Sequence, residues 1–174
     1  MKFLKLNKFV LALVAVLAFV SVFGITLALK SRADSELVYT NRRVVTEFTD
    51  EEFRLYVALI YAEAQGEPYE GKVAVANVIL NRIYSDEFPD NLYDVVYEPR
   101  QFSPVTNGAL DKHLWEYDSG NFTTSYHLET IEAAKEAMSG VNNIGDRLFF
   151  QRYWPKVDYS AHPNRCIIKN HIFW

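Results

Sequence analysis

Tyr61-Ala62-Glu63-Ala64-Gln65-Gly66-Glu67-Pro68-Tyr69-Glu70-Gly71 is the stretch on which the reading of this chain turns. It follows a run from Phe53 to Ala62 in which Arg54 is the one charged residue. An apolar run of that length predicts a helix buried on most of its sides. Gly66 stops it, and Pro68 suits the first position of a second helix. Glu63 then lies near a helix C-terminus, three, four and seven residues after Ile60, Leu59 and Tyr56. The apolar wall and the negative end of the helix dipole both disfavour a carboxylate there, so its pKa is expected to be raised. A carboxylic acid that keeps its proton near neutral pH is what general-acid cleavage of a glycosidic bond requires.

Working outward, Thr49-Asp50-Glu51-Glu52 has the form of a capping box, with Thr49 as N-cap and Glu52 at the third helical position. The first helix is read from there to about Ala64. The second runs from Pro68 to about Ile83, with Val73, Ala76, Ile79, Leu80 and Ile83 at helical spacing. Residues 91–97 suit a short helix. Residues 98–108, with two prolines and Asn107-Gly108, suggest a loop or irregular strand. Leu128, Ile131, Ala134 and Met138 mark a further helix, stopped by Gly140. Residues 147–152 and 166–174 are rich in aromatic and β-branched side chains and read as paired strands. Helices first and strands last indicate an α+β domain with a small antiparallel sheet at its C-terminal end.

Length and composition set the frame. The chain has 174 residues, suited to one domain plus an N-terminal extension. Its one cysteine, Cys166, excludes an intrachain disulfide and a thiolate zinc cluster. At the N-terminus Lys2, Lys5 and Lys8 precede an uncharged run, residues 9–29, followed by Lys30 and Arg32. As a helix this run would measure about 31 Å, the thickness of bilayer hydrocarbon. Residues 1–30 are therefore expected to be a membrane anchor or a signal segment, with Ser31-Arg32-Ala33 a pattern that could be cut. Residues 31–48 are expected to be a linker and residues 49–174 the folded domain. The positive-inside bias places that domain outside the cytoplasm, either anchored with its N-terminus inside or secreted. From Lys30 onward the chain carries 15 Lys+Arg against 22 Asp+Glu. That balance argues against a nucleic-acid partner and against electrostatic capture of an anionic polymer.

A family resemblance then enters. The Tyr61-to-Pro68 core, Glu70-Gly71, Val73-Ala74-Val75-Ala76 and Val78-Ile79-Leu80-Asn81-Arg82 resemble the opening signature of the cell wall hydrolase family typified by the spore cortex-lytic enzymes SleB and CwlJ. Gln101-Phe102-Ser103 resembles its middle motif and Asn170-His171-Ile172-Phe173 its terminal one. The resemblance implies a lysozyme-like, lytic-transglycosylase-like domain that cuts peptidoglycan glycan strands at the muramyl-glucosaminyl bond, with Glu63 as the acid/base. Two departures stand out. Members often carry a separate peptidoglycan-binding domain upstream, and no room for one is expected here. Lys169 also occupies the place where glycine usually precedes the terminal Asn-His pair.

Glycoside hydrolysis ordinarily takes two carboxylates. Here Glu63 alone has an acid's surroundings in the sequence, which favours the single-acid route of a lytic transglycosylase. A hydrolytic muramidase or glucosaminidase, and a non-catalytic wall-binding module of the same fold, remain the alternatives. Glu67 is either a second carboxylate or a helix-capping charge. Asn81 and Arg82 read at least as readily as helix-end capping and surface pairing as they do as ligand contacts. Gln101, Phe102, Ser103, Tyr153, Asn170 and His171 are the candidate substrate-binding residues. No cofactor or metal is expected: His113, His127, His162 and His171 are scattered and fit no His-Glu-x-x-His pattern. The expected partners are peptidoglycan, the membrane through residues 9–29, and a membrane or wall protein that restrains the activity.

Overall fold

The computed structural model describes residues 47–174. The expected anchor, and the linker up to residue 46, lie outside the described residues. No helix among the described residues is long and apolar enough to cross a membrane. The elements are α1 (Asp50–Ala64), α2 (Tyr69–Ile83), α3 (Leu92–Tyr97), α4 (Ser103–Asn107), α5 (Ala109–Asp118), α6 (Ser125–Met138), β1 (Phe150–Arg152), β2 (Cys166–Ile168) and β3 (His171–Phe173). Helices come first and the sheet last, as the sequence pattern indicates.

α1 starts where its capping box directs. The Thr49 N–H donates to Glu52 Oε2 at 2.8 Å and the Glu52 N–H to Thr49 Oγ1 at 3.2 Å. Leu55 to Ile60 are buried without a break, so α1 runs through the core instead of lying across it. α2 begins one residue later than expected. Pro68 is its N-cap, with an extended ψ of 168°, and its carbonyl accepts from Gly71 and Lys72. Proline's fixed φ suits either position, and the extended ψ decides between them.

Two expectations need correction. Residues 98–108 are not wholly loop: α4 forms within them, with Pro104 in its first turn, where no helical N–H is lost. Gly108, at φ 82°, then turns the chain into α5, a helix that the sequence reading does not anticipate. Leu128, placed on the apolar face of α6, is exposed, while Ala134 on the same helix is buried.

The core has two parts, and α2 serves both. Ala76, Ile79 and Leu80 pack with α1, with Leu92, Val95 and Val96 of α3, and with Ala134 and Ala137 of α6. Ala74, Val75 and Val78 pack instead with Ala64, Ile144 and Phe173. A helix apolar on two faces is what burial on both sides demands. Each of the large aliphatic side chains contributes about 1.5–3 kcal/mol on burial. The sheet order is β1-β3-β2, with both pairings antiparallel. Phe173 of β3 lies opposite Phe150 on one side and Cys166 on the other. The sheet thereby closes the second core against α2 and the end of α1.

Candidate active site

Glu63 occupies the last turn of α1. Ile60 belongs to the first core and Ala64 to the second, so the carboxyl emerges from the chain where the two meet. Among the described residues it takes no hydrogen bond or ion pair. Burial raises its pKa to about 7, with the charge of Arg82 pulling the other way. Burial is the cause that the apolar run foreshadows, and the opposing cation is one that the sequence reading leaves out.

Arg82 ends α2 with only 3% of its surface exposed. This corrects the reading of Arg82 as a helix-end cap or surface ion pair. Its Nε donates to the Leu148 carbonyl at 2.8 Å. Its guanidinium carbon lies 4.7 Å from the Phe88 ring centroid, 4.8 Å from Phe102 and 5.6 Å from Phe149. Burial lowers its pKa to about 10, against the charges of Glu98 and Glu63. Asn81, next to it, secures the loop between α6 and β1, donating from Nδ2 to the carbonyls of Gly145 and Arg147.

The second group of candidates gathers around Glu67. Its Oε2 accepts from the Asn170 backbone N–H at 3.2 Å and its Oε1 from Asn170 Nδ2 at 2.9 Å. Gly71 is required beside it, because a Cβ there would stand 2.8 Å from the Glu67 Cβ. Lys169 precedes Asn170 at φ 48°, in the left-handed region that glycine adopts freely. The hairpin turn is thus kept without the glycine. His171 is half-buried, with Nδ1 enclosed and unpartnered. Burial lowers its pKa, Glu67 opposes that, and Arg152 adds to it. The Phe150 ring stands 5.3 Å from the imidazole, edge-on. Tyr153 is tied in through its backbone N–H, which donates to the Asn170 carbonyl at 2.6 Å.

The predicted residues therefore form two neighbourhoods flanking the α1–α2 junction. Glu67, Tyr153, Asn170 and His171 are directly connected. Phe102 joins Glu63 through Arg82, and Gln101 is held by its N–H donating to the Glu98 carbonyl at 3.2 Å. Ser103 is exposed at the start of α4. Phe102 is 2% exposed, so its ring supports Arg82 and presents no face to a ligand. Glu98 is a neighbour that sequence reasoning missed, and of Arg82 it missed the burial. The signal for Arg82 was there: it follows Ile79, Val78 and Val75 by three, four and seven residues, on the buried face of α2.

Comparison with known proteins supplies the lineage. The sequence model of a family described as Cell Wall Hydrolase matches residues 66–174. The spore cortex-lytic enzyme of Bacillus subtilis is 46% identical over 116 residues, which is 67% of this chain and 33% of that protein. That of Oceanobacillus iheyensis is 36% identical over 103 residues, 59% of this chain and 33% of that protein. The chain thus spans about a third of the length of these curated relatives. Among solved structures, the catalytic domain of the germination-specific lytic transglycosylase SleB from Bacillus anthracis is similar at a TM-score of 0.55 and 29% identity, covering 74% of this chain and 97% of that one. The catalytic domain of the Bacillus cereus SleB protein gives 0.56 and 28%, covering 74% and 92%. With more than half of its length matched by the family's sequence model, the chain belongs to the cell wall hydrolase family.

Proposed function

We propose that this chain cleaves the glycan strands of peptidoglycan at the muramyl-glucosaminyl bond, acting outside the cytoplasm as a lytic transglycosylase with Glu63 as its single general acid/base. The observation that carries this reading is a half-buried carboxyl without a direct partner, held at a pKa of about 7. Family membership and the two SleB catalytic domains support the substrate class and the reaction type.

In this mechanism protonated Glu63 gives its proton to the glycosidic oxygen as the bond from C1 to that oxygen breaks, and the leaving sugar departs with a new hydroxyl. The Glu63 carboxylate next takes the proton of the muramyl C6 hydroxyl. That oxygen closes on C1 to form a 1,6-anhydro ring, and Glu63 regains its starting proton. No second carboxylate and no water are consumed. Glu67 is assigned the fastening of the terminal turn, since both of its oxygens accept from Asn170. Gln101, Ser103, Tyr153, Asn170 and His171 are the side chains we assign to the glycan-facing rim. An anchor through residues 9–29 and a restraining wall or membrane protein remain part of the proposal.

The test is digestion of purified peptidoglycan by the full chain, with products read by mass. Anhydro-muramyl ends are expected. Glu63→Gln should lower the rate by about 10²–10⁴-fold, the usual worth of a positioned acid. Because the acid must be protonated, activity should be high below pH 7 and fall as the pH rises through the Glu63 value of about 7. Reducing ends carrying added water would replace transglycosylation with hydrolysis. Wild-type and variant chains that both release nothing would leave a wall-binding module.

A further inference from the structure

The negative charge of this chain is unevenly spread. Residues 147–174 carry five cationic side chains, Arg147, Arg152, Lys156, Arg165 and Lys169, against one acidic residue, Asp158. Residues 47–146 carry six Lys or Arg against nineteen Asp or Glu. An overall balance that argues against capture of an anionic polymer therefore conceals a cationic end. In the helical part Arg54, Lys72, Lys112 and Lys135 each meet a carboxylate. At the sheet end no cation has an ion pair among the described residues. Arg147 and Arg165 are spent on backbone carbonyls, the first on Ile144 and Asn164, the second on Tyr159 and His162. Arg152 is exposed, and its side chain takes no hydrogen bond among the described residues. Its guanidinium carbon lies over the Trp154 ring, 4.7 Å from the centroid.

Trp154 is 55% exposed, yet its place is fixed. Its N–H donates to Oη of the buried Tyr159 at 3.0 Å, and its carbonyl accepts from Val157 at 2.9 Å. A guanidinium lying over a fixed ring keeps its N–H edges free, and those edges match the two oxygens of a carboxylate. The pair adjoins the candidate site. Arg152 stands opposite His171 in the β1–β3 register, and the Tyr153 N–H donates to the Asn170 carbonyl at 2.6 Å. Asn170 is fastened to Glu67, whose own N–H donates to the carbonyl of Ala64, the residue after Glu63, at 3.0 Å. From the same turn Lys169 Nζ reaches toward the Gly66 carbonyl, at 3.4 Å.

We propose that Arg152, stacked on Trp154, is a specificity site for the free carboxylates of the peptide stems carried by the muramyl sugars, with Lys169 on the neighbouring turn adding to the local positive charge. The N-acetylated sugars of a peptidoglycan strand are uncharged, and the negative charge lies on the stems. An unpaired guanidinium at the edge of the site therefore favours strands that bear stems with free carboxylates over strands whose stems are neutral. The inference rests on the reading of this chain as a peptidoglycan-cleaving enzyme.

The test gives the full chain two substrates. Both are sacculi stripped of phosphate polymers with hydrofluoric acid and acetylated on their amines, and in one the stem carboxyls are converted to methylamides. The wild type should show an apparent KM about 5-fold higher on the amidated sacculi, the upper end for an ion pair that stays in reach of water, with kcat little changed. Arg152→Gln should show the higher value on both. Arg152→Lys should recover part of the preference, because it keeps the charge and loses the fork. Raising the ionic strength should narrow the wild-type preference. Equal KM values in the wild type, or a preference that survives Arg152→Gln, overturn the proposal. A preference seen only on sacculi that still carry phosphate polymers also overturns it, assigning this face to those polymers. Co-sedimentation of Glu63→Gln and of Glu63→Gln with Arg152→Gln reads the same preference without turnover. A wild-type chain that cleaves neither substrate thus overturns the enzymatic reading alone, and sedimentation still decides the role of Arg152.

Discussion

Lys169 holds a backbone conformation that costs an L-residue roughly 1–2 kcal/mol. What the turn gains is the presentation of the Asn170 N–H and Nδ2 to Glu67. Its Nζ also reaches the Gly66 carbonyl at 3.4 Å, a weak contact. Lys169→Gly should therefore stabilise the protein by about 0.5–1 kcal/mol, after allowing for glycine's extra freedom in the unfolded chain. Urea unfolding checks this, and a loss of stability would mean that the contact with Gly66 outweighs the strain. At this same scale the legibility of the sequence divides cleanly. The burial of Glu63 could be anticipated because it ends the apolar run of its own helix. The environment of Arg82 could not, because its cage is assembled from Phe88, Phe102 and Phe149, which are brought together only by the tertiary fold.

α6 carries an unusual version of the motif that opens α1. Its N-cap is Thr124, but the reciprocal acceptor at the third position is His127, whose Nδ1 takes the Thr124 N–H at 3.3 Å. An imidazole can accept there only when that nitrogen is unprotonated. The ring is stacked 3.9 Å from Phe122 and meets Tyr61 edge-on at 4.4 Å. Tyr61 also packs against His113, whose Nδ1 lies 2.7 Å from Glu116 Oε2. Burial lowers the His127 pKa, Glu116 opposes this, and His113 adds to it. The folded value is thus below the unfolded value of about 6.5. Stability from this cap is complete above that pH and is lost as the pH falls through the folded value. Thermal unfolding between pH 7 and 5 should show the decline. His127→Gln should flatten it, since glutamine accepts through its amide oxygen at any pH. An unchanged slope in the variant would assign the decline to other groups. The capping box of α1 was readable because Glu52 is an expected partner for Thr49. This one was hidden by the histidine, and α5 was hidden by its start at Gly108 without a side-chain cap.

On the scale of the whole molecule, α2 joins two cores, and only the second includes the sheet. Phe173 is fully buried in it beside Ala64, the residue that follows Glu63. Phe173→Ala should cost about 3–5 kcal/mol. It should also let water toward the end of α1 and bring the Glu63 titration down toward the ordinary carboxylate range. Calorimetry and carboxyl resonances read the two effects, and a Glu63 value left unchanged would show that the second core does not dehydrate it. The order of helices before strands was visible in the sequence, because periodicity is local. The sharing of one helix between two cores was not, since the apolar faces of α2 do not say what covers them.

The strand order has a further consequence, one of timing. β1 and β2 do not pair with each other, and each depends on β3, which follows both in the chain. During synthesis, α1 and its Glu63 are complete while β1 and β2 still lack a neighbour. The Asn170 that fastens Glu67 arrives 103 residues later. A chain interrupted anywhere before β3 would hold Glu63 in an unfinished frame, so the domain that surrounds this carboxyl can close only once the strand shared by its two neighbours has followed them.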